Sequence, residues 1–221
     1  MKENQGNEVV AVDEVESVDE VESVVDEATK LTAILVREAE RLVAAGKRVI
    51  PCFDKKPMIE NWNGDGANPT IEHIKYWMSS DAFNGIGVVQ GSVSGGEHTL
   101  DFERIDVFDA FKAEVILQGV PIPQPLCLIK TGKGYHLPFS CRDLKVGTRP
   151  LLAGDEDGKP LIELLGEKCF AVRAPSSHPS GTIYQVIHGD QCNLPILTLD
   201  EANQLGSVGK LICLPVSSNV G

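Results

Sequence analysis

Asp101 and Glu103 are the two residues whose types and spacing most directly suggest chemistry. They close the run His98-Thr99-Leu100-Asp101-Phe102-Glu103. Its apolar and β-branched residues, with Val88-Val89 shortly upstream, mark a buried strand that ends in acid. Successive side chains of a strand alternate faces, so the two carboxylates share one side, about 7 Å apart. Carboxylates that close repel and drift toward protonation unless positive charge sits between them. A pair of divalent cations meets that need and suits in-line phosphoryl transfer. The same letters allow a plainer reading, in which Glu103 only opens a solvated turn before Ile105-Asp106-Val107. Tyr135-His136 and Ile162-Glu163-Leu164 set an ionisable group among strand-forming residues and are read together with the acid pair.

The elements that must hold these groups follow from periodicity. Leu31, Ile34, Leu35, Ala39, Leu42 and Val43 keep helical spacing, with Gly46 as the cap. A strand over 48–53 and a basic turn, Asp54-Lys55-Lys56-Pro57, come next. Asn68 before Pro69 is the expected start of a second helix carrying Ile71, Ile74, Tyr76 and Trp77. Then come a strand over 86–90, a turn over 91–96, the acid strand, and an amphipathic helix over 105–117 closed by Gly119. Beyond it the pattern turns to short extended runs over 126–130, 135–139, 160–165, 170–173 and 182–187. A last helix is expected over 199–211, interrupted by Gly206 and Gly209. The fold class implied is α+β: an α/β N-terminal half whose sheet continues into an antiparallel palm, with the acids at the seam.

With 42% hydrophobic residues over 221 positions, the chain buries a real core as one compound domain, or at most two. No apolar run approaches the ~18 residues of a membrane span, and the N-terminus is acidic, so neither a span nor a secretory signal is read and a cytoplasmic setting is expected. A net charge of −12 argues against nucleic acid as a partner, but its distribution weakens that argument. Residues 1–30 hold ten acids and two lysines, net −8; residues 31–221 hold twenty-two acids and eighteen bases, net −4. The excess gathers in a repeat, Val12-Asp13-Glu14-Val15-Glu16-Ser17, copied at once over 18–23. Residues 1–28 therefore read as a low-complexity acidic tail, disordered or loosely helical. Residues 29–198 read as the folded domain, and 199–221 as a C-terminal helix and tail that begins a truncated region. The six cysteines (52, 127, 141, 169, 192 and 213) are scattered without a CxxC. They read as small buried residues in a reducing cytosol and not as a structural zinc site.

Two local patterns carry little. Asn61, Asn63, Asp65, Gly66 and Glu72 match calcium-loop spacing, but Pro69 lies inside the loop and no incoming helix precedes it; two Asx-Gly turns before a helix explain the same letters. Gly132-Lys133-Gly134 lacks the spacing and following helix of a phosphate loop. Trp62 and Trp77 lie beside apolar residues and read as packing, not base-stacking, groups.

Taken in order, a series of short motifs resembles a known family. These are Val49-Ile50-Pro51-Cys52 with Lys55-Lys56-Pro57 and Trp62; Asn84-Gly85-Ile86-Gly87-Val88 with Gly91; and Leu100-Asp101-Phe102-Glu103. Lys130-Thr131-Gly132-Lys133-Gly134-Tyr135-His136, Ile162-Glu163, and Ala174-Pro175-Ser176-Ser177-His178-Pro179-Ser180-Gly181 follow. The series is similar to the N-terminal primase-polymerase domain of plasmid and phage replication proteins, within the archaeo-eukaryotic primase superfamily, over about residues 31–190. The resemblance implies an RRM-like palm, with Asp101 and Glu103 as paired metal-binding acids and Glu163 as the third. It implies His136 at the triphosphate of the incoming nucleotide, Thr131 and Lys133 in the same turn, and Lys168 near the phosphates. His178 is read as a further nucleotide contact or as the residue that holds its own turn, and His136 alternatively as a half-buried strand histidine. Lys55 and Lys56 are read as nucleic-acid contacts or as a solvated turn.

The implied cofactors are two divalent ions, Mg2+ or Mn2+. Many relatives carry Asp at one of the three acid positions, and the longer Glu arm shifts preference toward manganese. The implied partners are a single-stranded or primed DNA template, NTPs or dNTPs, and a helicase in the same chain or in trans. The leading function is a template-directed nucleotidyltransferase, a primase or polymerase of plasmid, phage or mobile-element replication. The alternatives are a metal-dependent nuclease or phosphohydrolase using the same acids with water, and a catalytically silent single-strand binding module.

Overall fold

The computed structural model describes residues 18–64, 66, 68–79 and 83–212, with side chains from residue 30 onward. Four α-helices are present among them: α1 (Val18–Ala44), α2 (Ile71–Trp77), α3 (Ile105–Leu117) and α4 (Leu199–Lys210). The strands are β1 (Val49–Phe53), β2 (Lys56–Pro57), β3 (Gly85–Val89), β4 (Glu97–Phe102), β5 (Leu128–Lys130), β6 (Tyr135–Ser140), β7 (Leu151–Gly154), β8 (Pro160–Leu165), β9 (Phe170–Arg173) and β10 (Gln185–His188). The first seventeen residues, Asp65, Cys213 and the tail beyond it lie outside the described residues. Within them α1 reaches back to Val18, into the second copy of the acidic repeat.

The helices are where their sequences put them, for physical reasons that can be named. On α1, Leu35, Ala39 and Leu42 fall on one stripe, and all three are buried with Ile74 of α2 and with Val49, Ile86 and Val88 of the first sheet. α2 starts later than its proline suggests. Its N-cap is Thr70, whose hydroxyl accepts from the His73 N–H while the His73 ring returns to the Thr70 N–H. Asn68 is used elsewhere: its side chain accepts from Arg48 Nε (2.9 Å) and donates to the Val93 carbonyl (2.8 Å). α4 runs through Gly206 and Gly209 without a break, started by a capping box between Thr198 and Glu201.

The fold is mixed α+β, and every strand pair among the described residues is antiparallel. One point corrects the sequence-based expectation. The front-half sheet does not run on into the palm; there are two sheets, β2-β1-β3-β9 and β10-β5-β6-β4-β8-β7. The turn after β3 folds back through a bridge between Gly91 and Glu97, and β4 leaves its predecessor to become an inner strand of the larger sheet. β7, which no periodicity announced, is four residues long with irregular register against β8.

The larger sheet has two unlike faces, as strand alternation demands. Leu100, Phe102, Leu137, Phe139, Ile162 and Leu164 point to the side covered by α3 and α4, where they meet Val107, Phe108, Phe111 and Leu205 in the main core. The opposite face of β4 carries Glu97, Thr99 and Asp101. That face meets the smaller sheet: Glu97 is ion-paired with Arg173 of β9 and with Lys47 (2.6 Å), all three buried. Beside this contact, Cys52, Ile129, Val172 and Tyr184 form an apolar cluster between the sheets. Of the described cysteines five are free, four of them buried. Among the described residues no helix is long and apolar enough to cross a membrane.

Candidate active site

Three adjacent strands bring the ionisable groups into one row. Asp101 stands opposite His136 of β6 on one side and opposite Glu163 of β8 on the other. Directly opposed residues of antiparallel strands share a face, so these three side chains project together. Glu103 follows just past the end of β4, where its N–H donates to the Leu161 carbonyl (3.1 Å) and carries the β4–β8 pairing one residue further before the chain bends. It thus stays on the side of Asp101. One carboxylate oxygen each from Asp101, Glu103 and Glu163 lies within 4.8 Å of the others.

Burial acts on all of this, and the neighbours decide the outcome. For Asp101, burial pushes the pKa up, but the His136 imidazole, aided by Arg149 and Lys55, outweighs it and holds the carboxyl below its ordinary value. The His136 Nε2 lies 3.4 Å from Asp101 Oδ1. Glu163 goes the other way: burial raises it, Asp101 and Glu103 raise it further, and the Arg149 guanidinium at 3.1 Å compensates only in part. Glu163 therefore stays under the repulsion of its two acid neighbours, which a bound cation would relieve. Three hard oxygen donors that close together, with no thiolate among them, fit Mg2+ or Mn2+.

The walls of the cleft over this row carry the cationic or hydrogen-bonding groups Lys55, Thr131, Lys133, Arg149, His178 and Tyr184, beside the apolar Leu165, Phe170, Ala171 and Val172. The turn after β5 is pressed tight against the acid strand. A side chain at Gly134 would run into the Phe102 carbonyl, and one at Gly132 would meet the His178 ring at 2.5 Å, so neither position tolerates a Cβ. Thr131 organises this turn, its hydroxyl oxygen accepting from the N–H groups of Lys133 and Gly134 (3.3 and 3.0 Å). His178 both holds its own turn and lines the cleft. Its Nδ1 accepts from the Ser180 N–H (3.1 Å), which leaves Nε2 to carry the proton of the neutral ring. Burial, then Lys55 and Lys133, lowers its pKa, consistent with that neutral form.

Not every sequence-predicted residue arrives here. Lys55 sits in a left-handed turn (φ 65°) and lines the cleft, whereas the adjacent Lys56 pairs with Phe53 on β2 and does not. Lys168 occupies an exposed left-handed turn between β8 and β9, also away from the cleft lining. Two lining residues had no signal in the sequence. Arg149 reaches Glu163 because β7 pairs with β8 at Leu151 and Glu163, a long-range register. Tyr184 lies on an irregular stretch just before β10 and packs its ring against those of His136 and His178 (5.7 and 6.0 Å).

A family model described as "Bifunctional DNA primase/polymerase, N-terminal" matches residues 39–204. The matched span runs from the buried half of α1 into α4 and contains every strand and every residue of the cleft. No curated protein matches the chain significantly. Since the match covers most of the chain and all of the elements that assemble the acid row, the chain belongs to the bifunctional DNA primase/polymerase family, and is a nucleotidyltransferase whose family works on a DNA template with nucleotides.

Proposed function

We propose that the cleft polymerises nucleotides on a DNA template, making or extending primers in plasmid, phage or mobile-element replication, with residues 29–198 as the catalytic domain. The observation that carries this reading is the row Glu163–Asp101–His136 across three strands, completed by Glu103, beneath the cations of the cleft wall. Asp101, Glu103 and Glu163 would hold the divalent ions. Bound there, the ions supply Lewis-acid activation of the attacking 3′-hydroxyl and neutralise the departing pyrophosphate. The chain's own groups orient the nucleotide. Lys55, Lys133 and the imidazoles of His136 and His178 donate to phosphate oxygens as charge-assisted hydrogen bonds, and Thr131 keeps their turn in place. Arg149, tied to Glu163 at 3.1 Å, keeps the third acid oriented and stands ready beside the phosphates. The template is held by its backbone, so sequence preference is modest. Lys56, outside the cleft lining, serves the nucleic acid further from the reacting atoms, and Lys168, also outside it, is not placed at the nucleotide in this reading.

The test is incorporation of labelled nucleotide on primed and unprimed single-stranded DNA, with Mg2+ or Mn2+, and NTPs and dNTPs supplied separately. Extension that disappears in Asp101→Ala, Glu103→Ala and Glu163→Ala is the expected result. Full activity of Asp101→Ala would overturn the site, and shortening of the labelled strand without extension would make the same acids those of a phosphohydrolase.

A further inference from the structure

Tyr184 is almost wholly buried, at 2% exposure, in the apolar cluster between the two sheets. Such a position suits a phenylalanine, because an unpaired hydroxyl in an apolar setting costs free energy. Yet the phenol of Tyr184 has no hydrogen-bond partner among the described residues, and its oxygen is not among the atoms sealed from solvent. What little of the residue is exposed therefore includes the hydroxyl. Its direction follows from its neighbours. The ring stands beside those of His136 and His178, both of which line the cleft, and the carboxylates of Asp101 and Glu103 act on the phenol. Burial first, and then those carboxylates, push its pKa up, so it remains an O–H donor at any working pH.

The geometry points to Tyr184 as a direct contact of the incoming nucleotide, its phenolic O–H donating to a phosphate oxygen. The inference rests on the polymerase reading of this cleft and adds a residue that neither the motifs nor the acid row includes. Phosphate is the favoured acceptor for two reasons. Beside the carboxylates of Asp101 and Glu103, which would hold the cations, the cleft carries Lys55, Lys133, Arg149, His136 and His178, so a phosphate bound together with its cations is what this mixed lining suits. The cleft is also small, about 110 Å³, and open to solvent on one side. Pockets that swallow whole small molecules are roughly 300–1,000 Å³, so this one takes the charged end of a ligand and leaves the remainder in the open groove. The ring also packs against both histidine rings, with centroids 5.7 and 6.0 Å away.

Tyr184→Phe removes only the hydroxyl and keeps the ring. Calorimetric titration of the wild-type chain and this variant with dATP, and separately with inorganic triphosphate, both with Mg2+ in excess, separates the possibilities. The expected result is a loss of about tenfold or more for both ligands, with melting temperature and Mn2+ binding unchanged. Equal affinities in the two proteins would overturn the assignment and leave the polymerase reading intact. A loss for dATP but not for triphosphate would overturn it too, by moving the hydroxyl to the sugar or base. A variant that melts early and also loses Mn2+ would reduce the hydroxyl to a structural role. A wild-type chain that binds neither ligand would sink the polymerase reading itself.

Discussion

Asp101 and Glu163 face one another across a single strand pair, and their surroundings treat them oppositely. His136 leans on Asp101 and keeps it ionised, while Glu163 is pushed toward protonation by burial first and by the two flanking acids after it. A carboxylate whose folded value is raised costs stability wherever it is charged, that is, as pH rises through that value. Removing its charge should therefore not weaken the metal-free fold. Glu163→Gln is expected to nearly abolish nucleotide incorporation while the melting temperature without metal holds or rises slightly, as a thermal scan beside the activity assay will show. His136 makes a different prediction. His136→Ala leaves the three carboxylates in place and removes one donor to the nucleotide, so nucleotide affinity should fall about tenfold or more. Template affinity should barely move. Titrating labelled dNTP and labelled single-stranded DNA against the same variant tests both halves; collapse of template binding alone would take His136 out of the nucleotide site.

The acid row depends on two sheets being held in one relation, and a buried charge cluster does much of the holding. Glu97 on β4 takes Arg173 of β9 and Lys47 ahead of β1, and Arg173 also donates to Thr99 (3.1 Å). Thr99 in turn donates to Gln90 at the end of β3 (2.9 Å). With two cations and one carboxylate sealed from water, the carboxylate is the member the cluster cannot lose. Glu97→Gln would leave Lys47 and Arg173 buried and unpaired, at a cost of about 3–5 kcal/mol in chemical denaturation. Replacing all three by apolar residues of similar size should recover much of that loss. The pH dependence follows from the same cluster. Burial raises the Glu97 pKa, but Arg173 and Lys47 outweigh it and hold the carboxyl below its ordinary 4.5. A depressed folded-state value contributes stability that is present above the unfolded value and lost as pH falls through the folded one. Stability attributable to Glu97 should thus be constant at neutral pH and drain away below about 4.5, and the acid limb of the Glu97→Gln profile should be correspondingly shallower.

Over the whole molecule, charge is divided between a body and an N-terminal stretch. Residues 1–28 contain ten acids and one lysine, net −9, against −12 for the chain, so a chain without them carries −3. Among the residues whose side chains are described, the stripe of α1 that packs on the body runs through Leu31, partly buried, and Leu35, Ala39 and Leu42, buried. If residues 1–28 are a solvated appendage, their deletion should leave the melting temperature unchanged. Binding of single-stranded DNA should tighten at low salt, since less negative charge repels the strand. The difference should vanish near 1 M salt, where the screening length is about 3 Å. A large drop in stability on deletion would mean instead that this stretch packs on the body.

Much of this architecture is a matter of local periodicity. Alternation along 97–103 is enough to put Asp101 and Glu103 on one side, and the 3.6-residue stripe of α1 and the boundaries of α3 need nothing beyond neighbouring residues. The ordered motifs likewise led to the family and to Glu163 and His136 as companions of the acid pair. Pairing is different, because a strand's own letters carry its period but not its partner. That β4 leaves β3 and lies between β6 and β8 is decided by contacts across the sheet, and only this register sets Glu163 and His136 on either side of Asp101. The same holds for finer choices. A left-handed turn sends Lys55 into the cleft and its neighbour Lys56 away from it, and Thr70 takes the helix cap while Asn68 bonds Arg48. Arg149 lies outside every element expected from the sequence and Tyr184 inside an expected extended run, 182–187, whose strand begins only at Gln185; they reach the site through β7 pairing with β8 and through packing between the sheets. Local sequence sets which face a side chain takes; long-range burial sets what stands opposite it.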